Sequence, residues 1–255
     1  MQLIKNHERE IIISCIVSLL GIFVLCIAEY TISNNTAISF PIEIWIDGSK
    51  ILDFFFPLLI TLPFSWMMYY EKKDGFINYA SMRKERSKYL FERIVSGMVS
   101  AFIVTFVIYY VGLMIAVLYL HPQTLVNDNI LYRYLWGYFQ ANNPLVFGLI
   151  WCVWKGLVGS VICAFGYLIA LVVDNIFVVA LSPFIYCTVE NFVTGTLHLE
   201  KYSITTTYIL NRLSPAKMSK VNYFAGLITF VLIGTIVIMG IKEKAKRKDC
   251  CENIN

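Results

Sequence analysis

The residues that could do chemistry in this chain are a few ionisable side chains in or beside long apolar runs: Glu29, Asp53, Lys155, Asp174 and Glu190. An ionised group is costly in a bilayer core, so it faces a partner, a water-filled path or the membrane surface. All but Lys155 fall near the ends of their runs, and two interpretations stay open. Either water hydrates these acids at helix ends, or Glu29, Asp53 and Glu190 line an acidic vestibule on the outer side.

Lys155 interrupts an apolar run that extends from 144 to 173. We interpret the first part of this run as an outer interfacial piece and the span as roughly 151–173, and whether 144–156 belongs to the span is left open. Lys155 would then extend its ammonium group to the outer surface. Small residues follow at every fourth position, which is typical of close helix contact within the chain or with a second copy: Gly156, Ser160 and Ala164.

The densest polar stretch is 71–93, which we call the polar island. It holds seven of the 21 Lys/Arg and four acids between two apolar runs. Such a stretch cannot lie in a bilayer core, and its excess of Lys/Arg favours the cytoplasmic side. In a helix, Phe76, Tyr79 and Arg83 would fall near one face. The island is then either a solvated loop that fixes topology or an amphipathic element that docks on a partner.

Composition excludes an ordinary soluble domain. Apolar residues make up 58% of the 255-residue chain and charged residues 15%, against about 45–50% and about 25% in soluble domains. The fold class is therefore all-α integral membrane protein, with 1–255 as one transmembrane domain. The net charge of +4 does not indicate nucleic-acid binding, because the basic residues cluster beside membrane spans.

Six apolar runs are long enough to cross a bilayer, at about 11–30, 51–70, 94–120, 151–173, 176–193 and 221–241. Pro57 and Pro63 predict a kink in the second of these. Alternating sides place 14 Lys/Arg inside and six outside, with Lys155 in a span. This asymmetry predicts that both termini and Asp174 are cytoplasmic. The segments 31–50 and 194–220 are predicted to be outer loops, with short interfacial helices on that side.

The outer end of the predicted path contains Asp53 at the start of span two and Glu190 near the end of span five. Pro183 lies two turns before Glu190, where it would let the helix change direction. The polar stretch that follows is long for an outer loop. We therefore predict that 183–220 forms an outer gate, with Asp53, Pro183 and Glu190 along the translocation path.

The sequence lacks the common catalytic and metal-binding patterns. It has no G-x-x-x-x-G-K-[ST], no HExxH and no GxSxG motif, so no P-loop, zinc-protease or nucleophile-elbow chemistry is indicated. The seven cysteines form no CxxC pair, and no metal site is expected. We expect that the chain is not an enzyme and that any ATP-driven function needs a second protein.

The arrangement of the chain resembles the permeases of bacterial ABC exporters of the type-2 (type V) branch. Six spans, a charged loop after span two and a long outer segment between spans five and six carry the resemblance. In the polar island, the acid Glu71 at the end of span two and the following Gly75 resemble the family pattern, as does the short basic helix that leads into span three. The N-terminal polar segment has ten residues and is shorter than that of the glycan exporters.

This resemblance implies that the island is a cytoplasmic coupling helix that docks on a P-loop ATPase subunit. The implied contact residues are Glu71, Gly75, Phe76, Tyr79, Arg83 and Arg86. It further implies two ATPase subunits that bind ATP and Mg²⁺, and a second permease copy or paralogue. The location would be the bacterial plasma membrane, and the substrate a peptide, drug or lipid-like molecule. A different class remains open, namely a non-transporting immunity or assembly protein that binds a toxin or partner without ATP.

Overall fold

The computed structural model describes residues 2–35, 40–83, 85–121, 139, 142–210, 212–213, 221–232, 234–236 and 239. Within these residues all the regular secondary structure is helical. The elements are α1 (Gln2–Asn35), α2 (Pro41–Phe54), α3 (Phe56–Lys73), α4 (Phe76–Ser81), α5 (Arg86–Leu118), α6 (Pro144–Val172), α7 (Ile176–Thr196), a 3-10 turn (Glu200–Tyr202) and α8 (Ile204–Tyr208). A further helical stretch covers 221–232.

Four of the described helices are long and apolar enough to cross a membrane, and the pair α2–α3 makes a fifth span if the two are counted together. The chain is therefore a multi-pass helical membrane protein. The spans predicted at 11–30 and 176–193 lie within α1 and α7, and the span predicted at 94–120 extends two residues beyond the end of α5. The span predicted at 221–241 lies partly outside the described residues, so a count of six stays a prediction.

The second span is a broken helix. α2 and α3 meet at an angle of 49° around Phe55, and Pro57 lies in the first turn of α3. Proline has no backbone N–H and is tolerated at a helix start, so it favours a new helix at this point. The prediction of a loop is wrong for 31–35, which belong to α1, and for 41–50, because α2 lies in the bundle with Ile42, Ile44 and Trp45 fully buried.

α6 runs without interruption from Pro144 to Val172, which corrects the interpretation of 144–156 as a separate interfacial piece. Its small residues serve contacts inside the chain. A Cβ atom at Gly156 would lie 2.8 Å from the ring of Phe102 in α5, and the Ser160 hydroxyl donates to the Met98 carbonyl at 2.9 Å. The Gly156–Ser160 face therefore packs α6 closely against α5.

The segment after α7 folds back into the bundle, and we call 197–210 the return segment. Ile204 and Tyr208 of α8 are buried, and the Tyr208 ring lies 4.7 Å from that of Phe56 in α3. Trp154 of α6 donates to the Thr207 carbonyl at 2.9 Å. The sequence predicts an outer loop here, but much of the return segment is buried core.

The polar island and the Asp174 turn lie at the same end of the bundle. Lys72 forms an ion pair with Asp174 at 2.7 Å, and the Tyr69 hydroxyl donates to the Asp174 carbonyl at 3.0 Å. This is the relative placement that the alternation of six spans requires. Which membrane side this end faces stays a prediction from the Lys/Arg count.

Candidate functional site

A buried ion pair lies between α2 and α6. The Lys155 ammonium nitrogen is 2.6 Å from Oδ1 of Asp53, and both side chains are almost fully excluded from solvent. The same carboxylate accepts from the Tyr109 hydroxyl at 2.6 Å and from the Ser49 hydroxyl at 3.3 Å. We call Asp53, Lys155, Tyr109 and Ser49 the buried ion-pair cluster. It joins α2, α5 and α6 at one point.

Aromatic rings complete the surroundings of the Lys155 ammonium. The nitrogen lies 4.0 Å from the centroid of the Tyr109 ring and 5.5 Å from that of Trp45. The negative faces of such rings attract a cation, and the attraction is stronger where water is excluded. The indole N–H of Trp45 donates to the Tyr109 carbonyl at 3.0 Å, which fixes the Trp45 ring.

These contacts correct two expectations. Lys155 does not extend to the outer surface, because α6 begins eleven residues before it and its side chain points into the bundle. Asp53 does not open a span at a hydrated end, because it lies in the last turn of α2 beside the bend at Phe55. Ionisable groups buried at a broken span are typical of substrate and ion paths in membrane proteins.

Glu190 anchors a second polar network near the end of α7. Its carboxylate accepts from the Ser203 hydroxyl at 2.7 Å and from the Ile204 backbone N–H at 3.3 Å. Arg212 donates to the Ser203 oxygen at 2.6 Å and to the Asn191 carbonyl at 3.3 Å. Burial lowers the pKa of the Arg212 guanidinium, and the charge of Glu190 opposes this shift.

Pro183 lies inside α7 and is buried. Because proline has no N–H, it cannot donate to the carbonyl of Val179, four residues earlier. The Ser182 hydroxyl donates to that carbonyl at 3.4 Å, which replaces the missing bond. α7 continues through Pro183 as one helix, and the expected change of direction at this residue stays a prediction.

An open apolar groove of about 810 Å³ runs along α7. Phe165 and Ile169 of α6 form one wall, and Glu190 lies among its lining residues. The acid thus stands beside both the groove and the return segment. Of the three residues predicted along the path, Glu190 and Pro183 lie on one helix, whereas Asp53 belongs to the buried ion-pair cluster.

Glu71 of the polar island faces inward. Its carboxylate binds Arg93 of α5 through two contacts, at 3.0 Å to one terminal nitrogen and 3.2 Å to Nε. Tyr89 donates to the same carboxylate at 3.1 Å. The bond from Nε is charge-assisted, and such bonds are stronger than those between neutral groups. Glu71 therefore joins α3 to α5.

The remaining predicted contact residues surround the short helix α4. Gly75 precedes α4 with φ at 70°, a left-handed conformation that glycine adopts without strain. The ring of Phe76 lies 6.3 Å from that of Tyr89, so Phe76 faces the bundle. Tyr79 is exposed, with the Arg83 guanidinium 5.3 Å from its ring centroid. Arg86, the first residue of α5, is also exposed.

The partners of Asp53 were not predicted from the sequence. Trp45, Ser49 and Asp53 are four residues apart, a spacing that places them on one helical face. This spacing indicates a helix that directs one face, with its polar side chains, toward the bundle. Nothing local indicates Lys155 as the partner of Asp53, because 102 residues separate the two.

Glu29 also differs from its expected place at a hydrated helix end. α1 continues to Asn35, and the Glu29 side chain is fully buried. Among the described residues, neither carboxyl oxygen has a hydrogen-bond partner. Glu29 and Asp53 are therefore both interior acids, and within the described part of the chain Asp53 is paired whereas Glu29 is not. No protein-family model, curated protein or solved structure matches this chain.

Proposed function

We propose that this chain is the transmembrane permease subunit of an ATP-driven exporter. Its substrate would be hydrophobic or amphipathic, such as an antimicrobial peptide, a drug or a lipid-like molecule. ATP and Mg²⁺ would bind two separate P-loop ATPase subunits, and a second permease copy or paralogue would complete the transporter. It would reside in a bacterial plasma membrane, with both termini in the cytoplasm.

The observation that carries the proposal is the way α4 is held at the polar end of the bundle. Tyr79 and Met82 are exposed in a stretch rich in basic side chains. Glu71 and Arg93 fix the base from which α4 projects. A short, firmly based helix with an aromatic and cationic surface suits docking into a partner's groove. Movement of a docked partner would then reach α3 and α5 directly.

Charge reversal at the polar end tests this docking. Arg83→Glu with Arg86→Glu should greatly weaken retention of a P-loop ATPase during purification, because both guanidinium groups lie on exposed surface. The control carries Lys50→Glu with Lys201→Glu, which reverses two exposed charges outside the island. Size-exclusion profiles of both variants should match the wild type. Equal retention of the ATPase by both double variants would contradict the docking role.

The groove along α7 supports the class of substrate. Its lining is almost wholly apolar, and Glu190 is one of the lining residues. Such a groove matches a molecule that has an apolar body and a polar or cationic group. The return segment is bound to Glu190 through Ser203 and Ile204. On the proposed function, release of that segment would open the way past Glu190.

Glu190→Gln is the sharpest test of this path, because it keeps the shape of the side chain and removes its charge. Export should fall well below the wild-type rate while expression and ATPase binding persist. Asp47→Asn, at an exposed acid of α2, is the matched control. Pro183→Ala should change the export rate and leave ATPase binding intact. If the Glu190→Gln variant exported substrate at the wild-type rate, the proposed role of Glu190 would be refuted.

The second candidate is a non-transporting membrane protein that binds a toxin or partner without ATP. The same buried ion-pair cluster is compatible with a purely structural role in such a protein. Purification of the unaltered chain from its native membrane separates the candidates. A permease retains a P-loop ATPase, whereas an immunity or assembly protein yields none and protects cells without ATP hydrolysis.

A further inference from the structure

Glu29 is a buried carboxyl group on the inward face of α1. About half of α1 between residues 11 and 35 is exposed on the bundle surface, and its buried residues include Leu25, Ala28 and Glu29. Their spacing of three and four residues forms one stripe against α2 and α5. Two of the three are apolar, as a helix-packing stripe requires. The third carries an acid where a leucine would fill the space.

Two glycines make room for this carboxyl group. A Cβ atom at Gly48 of α2 would lie 2.6 Å from Glu29 Cγ, and one at Gly112 of α5 would lie 2.9 Å from Glu29 Oε1. Any larger residue at either position would push Glu29 or its helix away. The site is therefore shaped around the acid, and it closes only while α1 lies against both neighbours.

No described group supplies a counter-charge to Glu29. The charged groups of α2 are not counter-charges of Glu29. Asp47 pairs with Lys50 at the surface, and Asp53 pairs with Lys155. Glu43 lies in the first turn of the helix. On α5, the Tyr109 hydroxyl donates to Asp53. The acid and bases of α3 lie in its last turn, at the polar end: Glu71, Lys72 and Lys73. On α1 itself, Cys26 and Tyr30 are the neighbouring titratable groups.

Burial without a partner decides the charge of this group. An ionised carboxylate that is buried without a counter-charge is strongly disfavoured. A neutral polar group that is buried without a hydrogen bond is disfavoured much less. The closed site therefore favours the neutral acid. Separation of α1 from its neighbours would admit water, which stabilises the ionised form.

We propose that Glu29 is a proton-binding site whose occupancy is coupled to the packing of α1. The carboxyl group holds a proton while α1 lies against Gly48 and Gly112. It releases that proton to entering water when α1 moves away, and it must take up a proton again before the site closes. The site is independent of the proposed export function, since it needs only the movement of α1.

Infrared difference spectroscopy tests the bound proton. The purified chain in lipid nanodiscs at pH 7 is compared with Glu29→Gln, which keeps the shape and cannot ionise. The carbonyl band of a protonated carboxyl should be present in the wild type and lost in the variant. Loss of a carboxylate band instead would show that Glu29 is ionised and would overturn the proposal. Glu92→Gln, at an exposed acid of α5, should remove a carboxylate band.

A second comparison tests the coupling to α1. Gly112→Leu should push α1 from α5, because its side chain would overlap Leu25 and approach Glu29. The protonated-carboxyl band should then be replaced by a carboxylate band at pH 7. Gly48→Ala should push α1 away from α2 by a smaller distance. It replaces Gly112→Leu in this test if that variant does not fold. A protonated band that persists in the folded variant would refute the coupling.

Discussion

Replacement of Lys155 by methionine should destabilise the chain by about 3–5 kcal/mol, the usual cost of leaving one member of a buried ion pair unpaired. Methionine keeps most of the length of the side chain and removes its charge. Asp53 would keep the Tyr109 and Ser49 hydroxyl donors, but neither neutralises a carboxylate. The lost attraction between the ammonium group and the Tyr109 ring adds to the cost.

The chain contains a matched pair in a different environment. Lys50 and Asp47 are 2.8 Å apart, nearly the distance in the buried pair, yet their side chains are 54% and 37% exposed. Water already solvates both charges there, so Lys50→Met should cost about 0–1 kcal/mol. The two substitutions are chemically identical. Their difference isolates the effect of burial.

The assay is denaturant-induced unfolding in mixed micelles, followed by tryptophan fluorescence. The midpoint and slope together give the free energy of unfolding where the transition is reversible. Asp53→Asn alone should also destabilise, because it leaves the Lys155 ammonium buried without a counter-charge. The double variant should recover much of the loss, since neither charge remains.

Two results would refute this reasoning. Equal costs for Lys155→Met and Lys50→Met would show that water reaches the buried ion-pair cluster. Additive losses in the double variant, with no recovery, would show that Asp53 and Lys155 do not interact.

Arg93→Met should cost about 3–5 kcal/mol by leaving Glu71 buried without its guanidinium partner, and hydrogen exchange of α4 should accelerate. Lys72→Met, at a more exposed ion pair, is the control and should leave α4 protected. Gly226→Leu should displace the return segment, because its side chain would overlap the Ser203 carbonyl. Overpacking of this kind costs about 1–3 kcal/mol. Hydrogen exchange over α8 should therefore become faster in this variant. Unchanged exchange would contradict the close contact between Gly226 and Ser203.

Hydropathy was sufficient to find most of the long helices. α1 and α7 contain their predicted spans, and α5 contains all but the last two residues of its span, because lipid-facing helices are apolar over their whole length and this property is local. The break in the second span was also indicated by Pro57. What hydropathy does not record is which polar residue faces which neighbour. Asp53 and Lys155 were visible as charges in apolar runs, but their pairing depends on the packing of three helices.

The predictions of loops at 31–50 and 194–220 failed for a related reason where the structure describes these segments. Both α2 and the return segment contain enough polar and turn-forming residues to resemble loops. In the structure several of those residues bond to neighbouring helices inside the bundle, as Asp53 of α2 does to Lys155 and Ser203 of the return segment does to Glu190. A polar residue that is bonded internally is indistinguishable in sequence from one bonded to water. The predicted docking residues around α4 stay untested, because docking concerns a partner chain.

The ion pairs also determine how the bundle can move. Apolar helix surfaces resemble one another, so dispersion contacts alone resist sliding weakly, whereas a buried charge has few acceptable partners. Asp53–Lys155 ties α2 to α6, and Glu71–Arg93 ties α3 to α5 at the polar end. The bend near Phe55 separates these two ties. A rotation of α2 about that bend would leave α3 bound to α5. Such a rotation would either break the Asp53–Lys155 pair or move α6 together with α2. We therefore expect α2, the half of the second span away from the polar end, to be the half that changes conformation, and the Asp53–Lys155 pair to oppose that change.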